Sequence, residues 1–575
     1  MYTTEKNIQI LIALLKAHGI RKIIASPGSM NATFVNSVQQ DDFFEVFSCV
    51  DERSAAYMAC GMSEECQAPV VLSCTGATSS RNYLPALTEA FYRKLPVLAV
   101  TSLSKRENIG QLIGQQIDRS NPPKDVVVES VYIPVLHNVQ EEKICEREIN
   151  KAILALTLNG GGPVHIDLGT CMALVNAEKL PDVRVMHRYS HGDTLPPIPD
   201  GRIGIMIGAH ARMDEALIHA IDNFCASYDA LVLSVNPKSY NGKYSANVGL
   251  LFSQIGYKDL NQYRLLIHIG EVNTDAVGFV VYPEEVWRVS EDGIVRDRYG
   301  VLTNIFQMTE YEFFAGYAQR GIPKDSQYKT WRATDSELRN HLPELPFCTA
   351  WIAQYVAPKF PDDAELYLGI LNSLRSFDYA NPSPKLLTRA NTGGFGIDGC
   401  ISSMIGASVV SPQKQFYGIF GDLAFFYDIN VLGNRHIGKN VHIMLINNDG
   451  GQLFRNADHP LHNYMDVNQF IAAAGHNGKQ SETLVKSVSE SLGFVYLTAK
   501  DKETFSENFE RWLNSENSVV FEVFTNAEDD EQTFLQIRTL MLPEQKNSSS
   551  DKIKNSIKRI VGAERIQTLK ALIGI

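Results

Sequence analysis

Short runs of β-branched and aliphatic residues alternate along this chain with Gly- or Ser-rich turns and then with stretches of helical period. Lys22–Ser26 (KIIAS) leads into PGSMN, Pro69–Cys74 (PVVLSC) into TGATSS, and Pro96–Thr101 (PVLAVT) follows. Gly162–Leu168 (GPVHIDL) reads as the last strand of this first series. A second series opens at Ile203–Ile207 (IGIMI), runs into GAH, and continues at Ala230–Val235 and Leu265–Gly270; Gly321–Ser336 reads as its loose end. A third carries Glu365–Gly369, Gln415–Phe420, Val441–Asn447 and Ser518–Phe524. Strands that alternate with helices predict parallel sheets. The fold class expected is α/β, with three doubly wound parallel-sheet domains at 1–180, 195–340 and 345–540. The Pro-rich run Leu195–Asp200 (LPPIPD) reads as a linker.

Residues 546–575 follow a different pattern. They hold seven Lys/Arg against two acidic residues, with Ile553, Ile557, Ile560, Val561, Leu569, Leu572 and Ile573 roughly at helical spacing. After a Ser-rich hinge this predicts a basic amphipathic helix. It can dock on its own domain or on a partner, or make a peripheral contact with an anionic membrane surface.

Composition narrows the class. A chain of 575 residues with 44% hydrophobic and 21% charged residues can fill several cores, which excludes disorder as its main state. The net charge of -12 predicts no broad basic surface for nucleic acid. Nine cysteines without a C-x-x-C pair point to a reducing cytoplasm. The apolar run Ile8–Leu15 lacks a basic flank and a cleavage site, so it reads as a first amphipathic helix. No run of about 18 apolar residues predicts a membrane span.

The chemistry concentrates in the third series. The strand QFYGIF runs into Gly421-Asp422-Leu423. The strand VHIMLI then runs into Asn447-Asn448-Asp449-Gly450-Gly451. Either cluster alone reads as a turn after a strand. Together, both stand at carboxyl ends of parallel strands, where open α/β sheets bind ligands. A carboxylate, an amide and a backbone carbonyl form the hard-oxygen set that Mg²⁺ takes beside diphosphate oxygens. Gly421 and Gly450-Gly451 let backbone approach a phosphate closely.

GDL…NNDGG resembles the diphosphate-binding motif of the thiamine diphosphate (ThDP) enzyme superfamily. The resemblance implies Asp422, Asn448 and the Gly450 carbonyl as Mg²⁺ ligands. It also implies Gly421, Leu423 and Gly451 beside the diphosphate. The superfamily places a carboxyl group against the cofactor's aminopyrimidine, and Glu52, in DERSAA, answers to it. Burial in apolar surroundings would let such a carboxyl share a proton near neutral pH. The fold implied is the pyruvate decarboxylase-like architecture: a pyrimidine-binding domain, a cofactor-free central domain and a diphosphate-binding domain. The active unit implied is a homodimer or homotetramer with active sites between chains.

SPGS at 26–29, NYLPAL at 82–87, GQQID at 114–118, GPVHIDL at 162–168, NSL at 372–374, GIDG at 396–399 and GDLAFFYDIN at 421–430 fall in order. Together they resemble the menaquinone-pathway synthase family, which joins 2-oxoglutarate to isochorismate with loss of CO₂. That resemblance makes Gln115 and Ser373 catalytic candidates. Ser29 and Asn82 are candidates on the cofactor side, and read equally as strand-end turn residues. Met30, Thr392 and Phe377 stand where the family places arginines, with Arg375, Lys105 and Arg106 nearby. Guanidinium–carboxylate pairs are bidentate and have no substitute in Met, Thr or Phe.

The expected activity is therefore decarboxylation of a 2-oxoacid with transfer to an aldehyde or ketone acceptor, in a paralogue of altered substrate. The alternatives are the menaquinone-pathway reaction itself and a simple decarboxylase releasing aldehyde. A non-catalytic assembly protein of ThDP fold is the alternative of a different class.

Overall fold

The computed structural model describes residues 1–255, 261–272, 281–318, 324–362, 364–455, 470–475 and 481–541. The tail 546–575 lies outside the described residues. The chain divides into two compact units, Met1–Ile198 with Glu285–Thr309, and Pro199–Glu284 with Glu310–Ile575.

Unit 1 is built on six parallel strands. In spatial order they are Glu45–Ser48, Lys22–Ala25, Val70–Thr75, Val97–Leu103, Val164–Gly169 and Glu129–Ile133. The central strands are buried on both faces, which is why they read as unbroken apolar runs rather than alternating ones. Helices Lys6–Ala17 and Val139–Ala155 cover one face, packing Ile8, Leu11, Leu15 and Ile149 against Ile23, Val71 and Val100. Helices Glu52–Cys66 and Leu84–Arg93 pack with the residues of the other face. There Ala55, Ala56 and Ala59 let the first of them approach the sheet closely. Asp51 caps that helix, accepting from Ser54 N at 2.8 Å, so the helix begins at Glu52. Unit 1 also holds the parallel pairing of Leu302–Gln307 with His187–Ser190.

Unit 2 contains four parallel strands in the order Ser245–Asn247, Leu231–Ser234, Ile203–Ile207 and Gln262–Ile269. It also contains a six-stranded parallel sheet in the order Leu387–Arg389, Glu365–Leu368, Phe416–Gly421, Val441–Asn447, Val519–Phe524 and Val495–Ala499. Helices Thr349–Val356 and Lys502–Leu513 bury Ile352, Phe505 and Phe509 with one face. Helices Cys400–Val410 and Leu484–Ser491 bury Ile401, Met404 and Val485 with the other. Counted by appearance in the chain, both six-stranded sheets have the order second, first, third, fourth, sixth, fifth. The order reverses beside the first strand in each, which places a crevice outside its carboxyl end.

One expectation is corrected. The supposed loose stretch Gly321–Ser336 is largely the helix Ser326–Asn340, and 319–323 lie outside the described residues. Its polar composition hid it. Ion pairs at i,i+4, Lys329–Asp325 at 2.8 Å and Arg339–Asp335 at 2.7 Å, and burial of Leu338 hold it in place of an apolar stripe. No helix of the described residues is long and apolar enough to cross a membrane.

Candidate active site

In unit 2 the strand Phe416–Gly421 ends in Gly421 and the helix Asp422–Asp428 begins directly. Asp422 is therefore held at a helix start, buried, with Oδ1 accepting from Leu423 N at 2.7 Å. Its other oxygen, Oδ2, accepts from Gly450 N at 2.8 Å. That bond joins the two motifs, which lie on adjacent strands paired from Phe416–Val441 to Gly421–Ile446. Burial pushes the Asp422 carboxyl up to about 6, while the two backbone donors oppose the shift.

Asn448 is buried and donates through Nδ2 to Asp530 Oδ2 at 2.8 Å. The amide oxygen is then the atom left for a cation. Asp530, on the helix Ala527–Arg538, also accepts from Thr349 N at 2.6 Å, and burial raises its pKa. Asn447 turns the other way, donating to Glu522 Oε1 at 2.9 Å; Tyr496 OH donates to Glu522 Oε2 at 2.8 Å. Arg455 grips the turn from outside, donating to Asp449 O at 2.8 Å and Asn448 O at 3.3 Å.

Gly450 has φ +116°, and a Cβ there would collide with the Ala472 carbonyl oxygen. Gly451 N donates to that same oxygen at 2.6 Å. Gly421 has open space where a Cβ would be. A carboxylate, an amide oxygen and a backbone carbonyl, with open backbone beside them, suit Mg²⁺ and a diphosphate. Among the described residues no group of three His, Cys, Asp or Glu is placed for a metal ion, so any cation here relies on this mixed oxygen set.

Ser373 lies near the start of the helix Asn372–Tyr379, buried, at the carboxyl end of Glu365–Leu368. Phe377 on that helix is 1% exposed and packs in the core with Leu366, Leu374 and Ile419. Phe377 therefore serves packing and has no charge to offer a carboxylate. The helix buries Arg375 as well. Thr392 is buried and its N–H donates to Ala390 O at 3.0 Å.

In unit 1, Glu52 is half-buried and Asn82 Nδ2 donates to its Oε2 at 3.3 Å. The fold thus joins two residues that were separate candidates in the sequence. The fully apolar setting expected for Glu52 is not provided by this unit. Ser29 is exposed and Met30 half-buried. Gln115 is exposed at φ +64°. Among the described residues no hydrogen bond joins Ser29 or Gln115 to Glu52. Arg106 packs over the Tyr132 ring at 5.0 Å.

Beneath this surface lies a polar cluster that sequence reading missed. Arg119 is buried, donates to Gly76 O, and pairs with Asp167 at 2.5 Å. Thr101 Oγ1 donates to Asp167 at 3.3 Å and lies 2.7 Å from His165 Nε2. Arg81 donates to Asp118 O at 2.6 Å. Arg119 and Arg81 thereby fasten the segment after Gln115 to the stretch from Gly76 through the helix Thr78–Asn82. Alternating polar positions in PVLAVTS and GPVHIDL were the available signal. Asp530 had none, being 82 residues from Asn448.

Two family models match this chain in order. The thiamine pyrophosphate enzyme N-terminal TPP binding domain covers residues 6–121, and the C-terminal TPP binding domain covers 374–523. The first takes in Glu52 and Asn82, the second Asp422 and Asn448. Curated relatives run the length of the chain. A 2-succinyl-5-enolpyruvyl-6-hydroxy-3-cyclohexene-1-carboxylate synthase of Phocaeicola vulgatus is 28% identical over 565 residues, 92% of this chain and 97% of its own. Proteins of the same name from Bacteroides fragilis (29% over 566 residues, 92% and 98%) and Flavobacterium psychrophilum (26% over 546 residues, 90% and 95%) are also similar. Both matches fall on the sheets that carry the motifs, so the chain carries the N-terminal and C-terminal TPP binding domains of thiamine pyrophosphate enzymes.

Proposed function

We propose that this chain is a ThDP- and Mg²⁺-dependent enzyme that decarboxylates a 2-oxoacid and transfers the acyl unit to an electrophilic carbon of an acceptor, forming a C–C bond. The observation that carries this reading is the bond from Gly450 N to Asp422 Oδ2, which joins the two diphosphate-site motifs. Asp422, Asn448 and the Gly450 carbonyl would hold Mg²⁺, and the open flank of Gly421 would admit the diphosphate. ThDP, when bound, supplies the carbanion chemistry of 2-oxoacid decarboxylation. The chain's part is to fix the cation, to hold a proton on the Glu52 carboxyl against the aminopyrimidine, and to orient substrate through Gln115 and Ser373.

The active unit in this proposal is a homodimer or homotetramer, in which Glu52 of one copy serves the diphosphate site of another. Exposed apolar side chains beside Glu52 support it: Tyr57 and Met58 stand out on its helix. The reaction belongs in the cytoplasm in this proposal, with the tail 546–575 docked on a protein surface or, alternatively, in peripheral contact with an anionic membrane.

For substrate, similarity over 92% of the chain favours the synthase reaction, 2-oxoglutarate with isochorismate. A second reading, a smaller or less acidic 2-oxoacid such as pyruvate, rests on Met30 and Thr392. The test is CO₂ release from a panel of 2-oxoacids with ThDP and Mg²⁺, with and without isochorismate. Release from 2-oxoglutarate and capture by isochorismate support the first reading. Release from pyruvate alone supports the second. Silence across the panel would leave the non-catalytic class.

A further inference from the structure

Unit 2 contains a cavity of about 680 Å³ at the carboxyl ends of Leu231–Ser234 and Ser245–Asn247. Small-molecule sites fall in the range of about 300–1,000 Å³. None of its lining residues belongs to the ThDP half-sites.

The loop that presents Lys238 to this cavity is held rigidly from behind. Asn236 N and Nδ2 both donate to Asp378 Oδ1, at 2.7 and 2.9 Å. Thr388 Oγ1 donates to Asn236 Oδ1 at 2.7 Å and accepts from Lys238 N at 2.7 Å. Asp378 and Thr388 are themselves buried. The Lys238 ammonium donates to the Pro384 carbonyl, and among the described residues no carboxylate pairs with it. Burial pushes its pKa down to about 8. A cation held partly out of water without a counter-charge is costly, and sites built for anions are where such groups persist.

Arg332 and Arg339 line the same cavity, against one acid, Asp335, which Arg339 Nε already engages at 2.7 Å. Arg332 makes no ion pair among the described residues and is exposed. This local excess of positive charge stands in a chain of net charge -12. The rest of the lining is of another kind. Tyr328 and Trp331 pack with ring centroids 5.7 Å apart, and Asn340 and Asn381 bring exposed amides. Amides suit hydroxyl groups, and aromatic faces suit the C–H face of a sugar ring.

We propose that this cavity binds a phosphorylated sugar, with the phosphate dianion on Lys238 and Arg332 and the sugar against the aromatic and amide wall. A free sugar phosphate and the ribose phosphate of a nucleotide share this chemistry. Calorimetry on the full-length protein at low ionic strength, with ribose 5-phosphate, AMP, ribose and inorganic phosphate as probes, tests it. Ribose 5-phosphate or AMP should bind about tenfold or more tighter than inorganic phosphate or ribose, because each fragment alone uses only part of the wall. The tighter of the two names the source. Lys238→Met should weaken that binding about tenfold, and the exposed Arg332→Gln, which carries no risk to folding, about threefold or more. Absence of binding by both ribose 5-phosphate and AMP would overturn the proposal. So would affinities unchanged in both variants, or inorganic phosphate binding as tightly as the esters.

Discussion

The two six-stranded sheets have the same strand order and each has a crevice at the same place in it, yet they present opposite kinds of half-site. The sheet of unit 2 assembles its motif from its own backbone. Asp422, Asn448 and Gly450 are buried and locked by bonds of 2.8 Å to Gly450 N and to Asp530. The sheet of unit 1 leaves Glu52 half-buried, with one longer bond from Asn82, and leaves Ser29 and Gln115 exposed. Its rigid polar groups, Arg119, Asp167, Thr101 and His165, lie beneath that surface. Topology therefore decides where a ligand goes, while chemistry and rigidity depend on what the loops at those strand ends bond to. A cation site gains from preassembly, because ligand geometry sets Mg²⁺ affinity. A proton-handling carboxyl needs a dry environment, which a partner or ligand can supply.

The contrast can be broken most sharply at Glu52. Glu52→Gln should leave melting temperature and ThDP binding as in the parent, and slow C2–H exchange of bound ThDP by about 10²–10⁴. Asp422→Ala should do the reverse, removing Mg²⁺-dependent ThDP binding itself. If the two variants fail in the same way, the division of labour between the sheets is wrong.

The rigid layer beneath the Glu52 surface is tested by Arg119→Met. It strands a buried Asp167 carboxylate, which costs about 3–5 kcal/mol when such a pair is broken. Chemical denaturation should show that loss, and adding Asp167→Asn should recover part of it. A fully exposed ion pair would lose less than about 1 kcal/mol, and that result would return this cluster to the surface.

His165 gives a smaller effect with a defined pH sign. Burial lowers its pKa from 6.5 to about 4, so the folded protein binds that proton less readily than the unfolded chain. Its contribution is complete above 6.5 and is lost as pH falls through 4, amounting to at most about 3 kcal/mol. Stability measured from pH 7 down to pH 4 should fall less steeply in His165→Gln than in the parent. Parallel curves would mean that the imidazole titrates elsewhere.

The smallest effect expected is none. Truncation after Leu542 should leave ThDP binding intact, because every residue proposed for the cofactor lies upstream. If the tail is a membrane contact, only the full-length chain should sediment with anionic vesicles, and salt should release it.

Residue order alone was enough for the α/β class, the central strands and the two motif clusters; edge strands such as Glu129–Ile133, Leu387–Arg389 and Val495–Ala499 were not read from it. Apolar runs buried on both faces are local signals, and Gly-Asp and Asn-Asn-Asp-Gly-Gly stand immediately after them. Asp51-Glu52 at a helix start was legible for the same reason, since capping is decided within one turn. Only the tertiary structure decided the rest. It made Phe377 a core residue, because which side of Asn372–Tyr379 faces the sheet depends on packing and not on a motif. It brought Asn82 to Glu52, Asp530 to Asn448 and Asp167 to Arg119, pairs 30, 82 and 48 residues apart. Such pairs depend on which strands become neighbours, and a parallel sheet makes neighbours of strands separated by whole helices, leaving no periodic trace in the sequence.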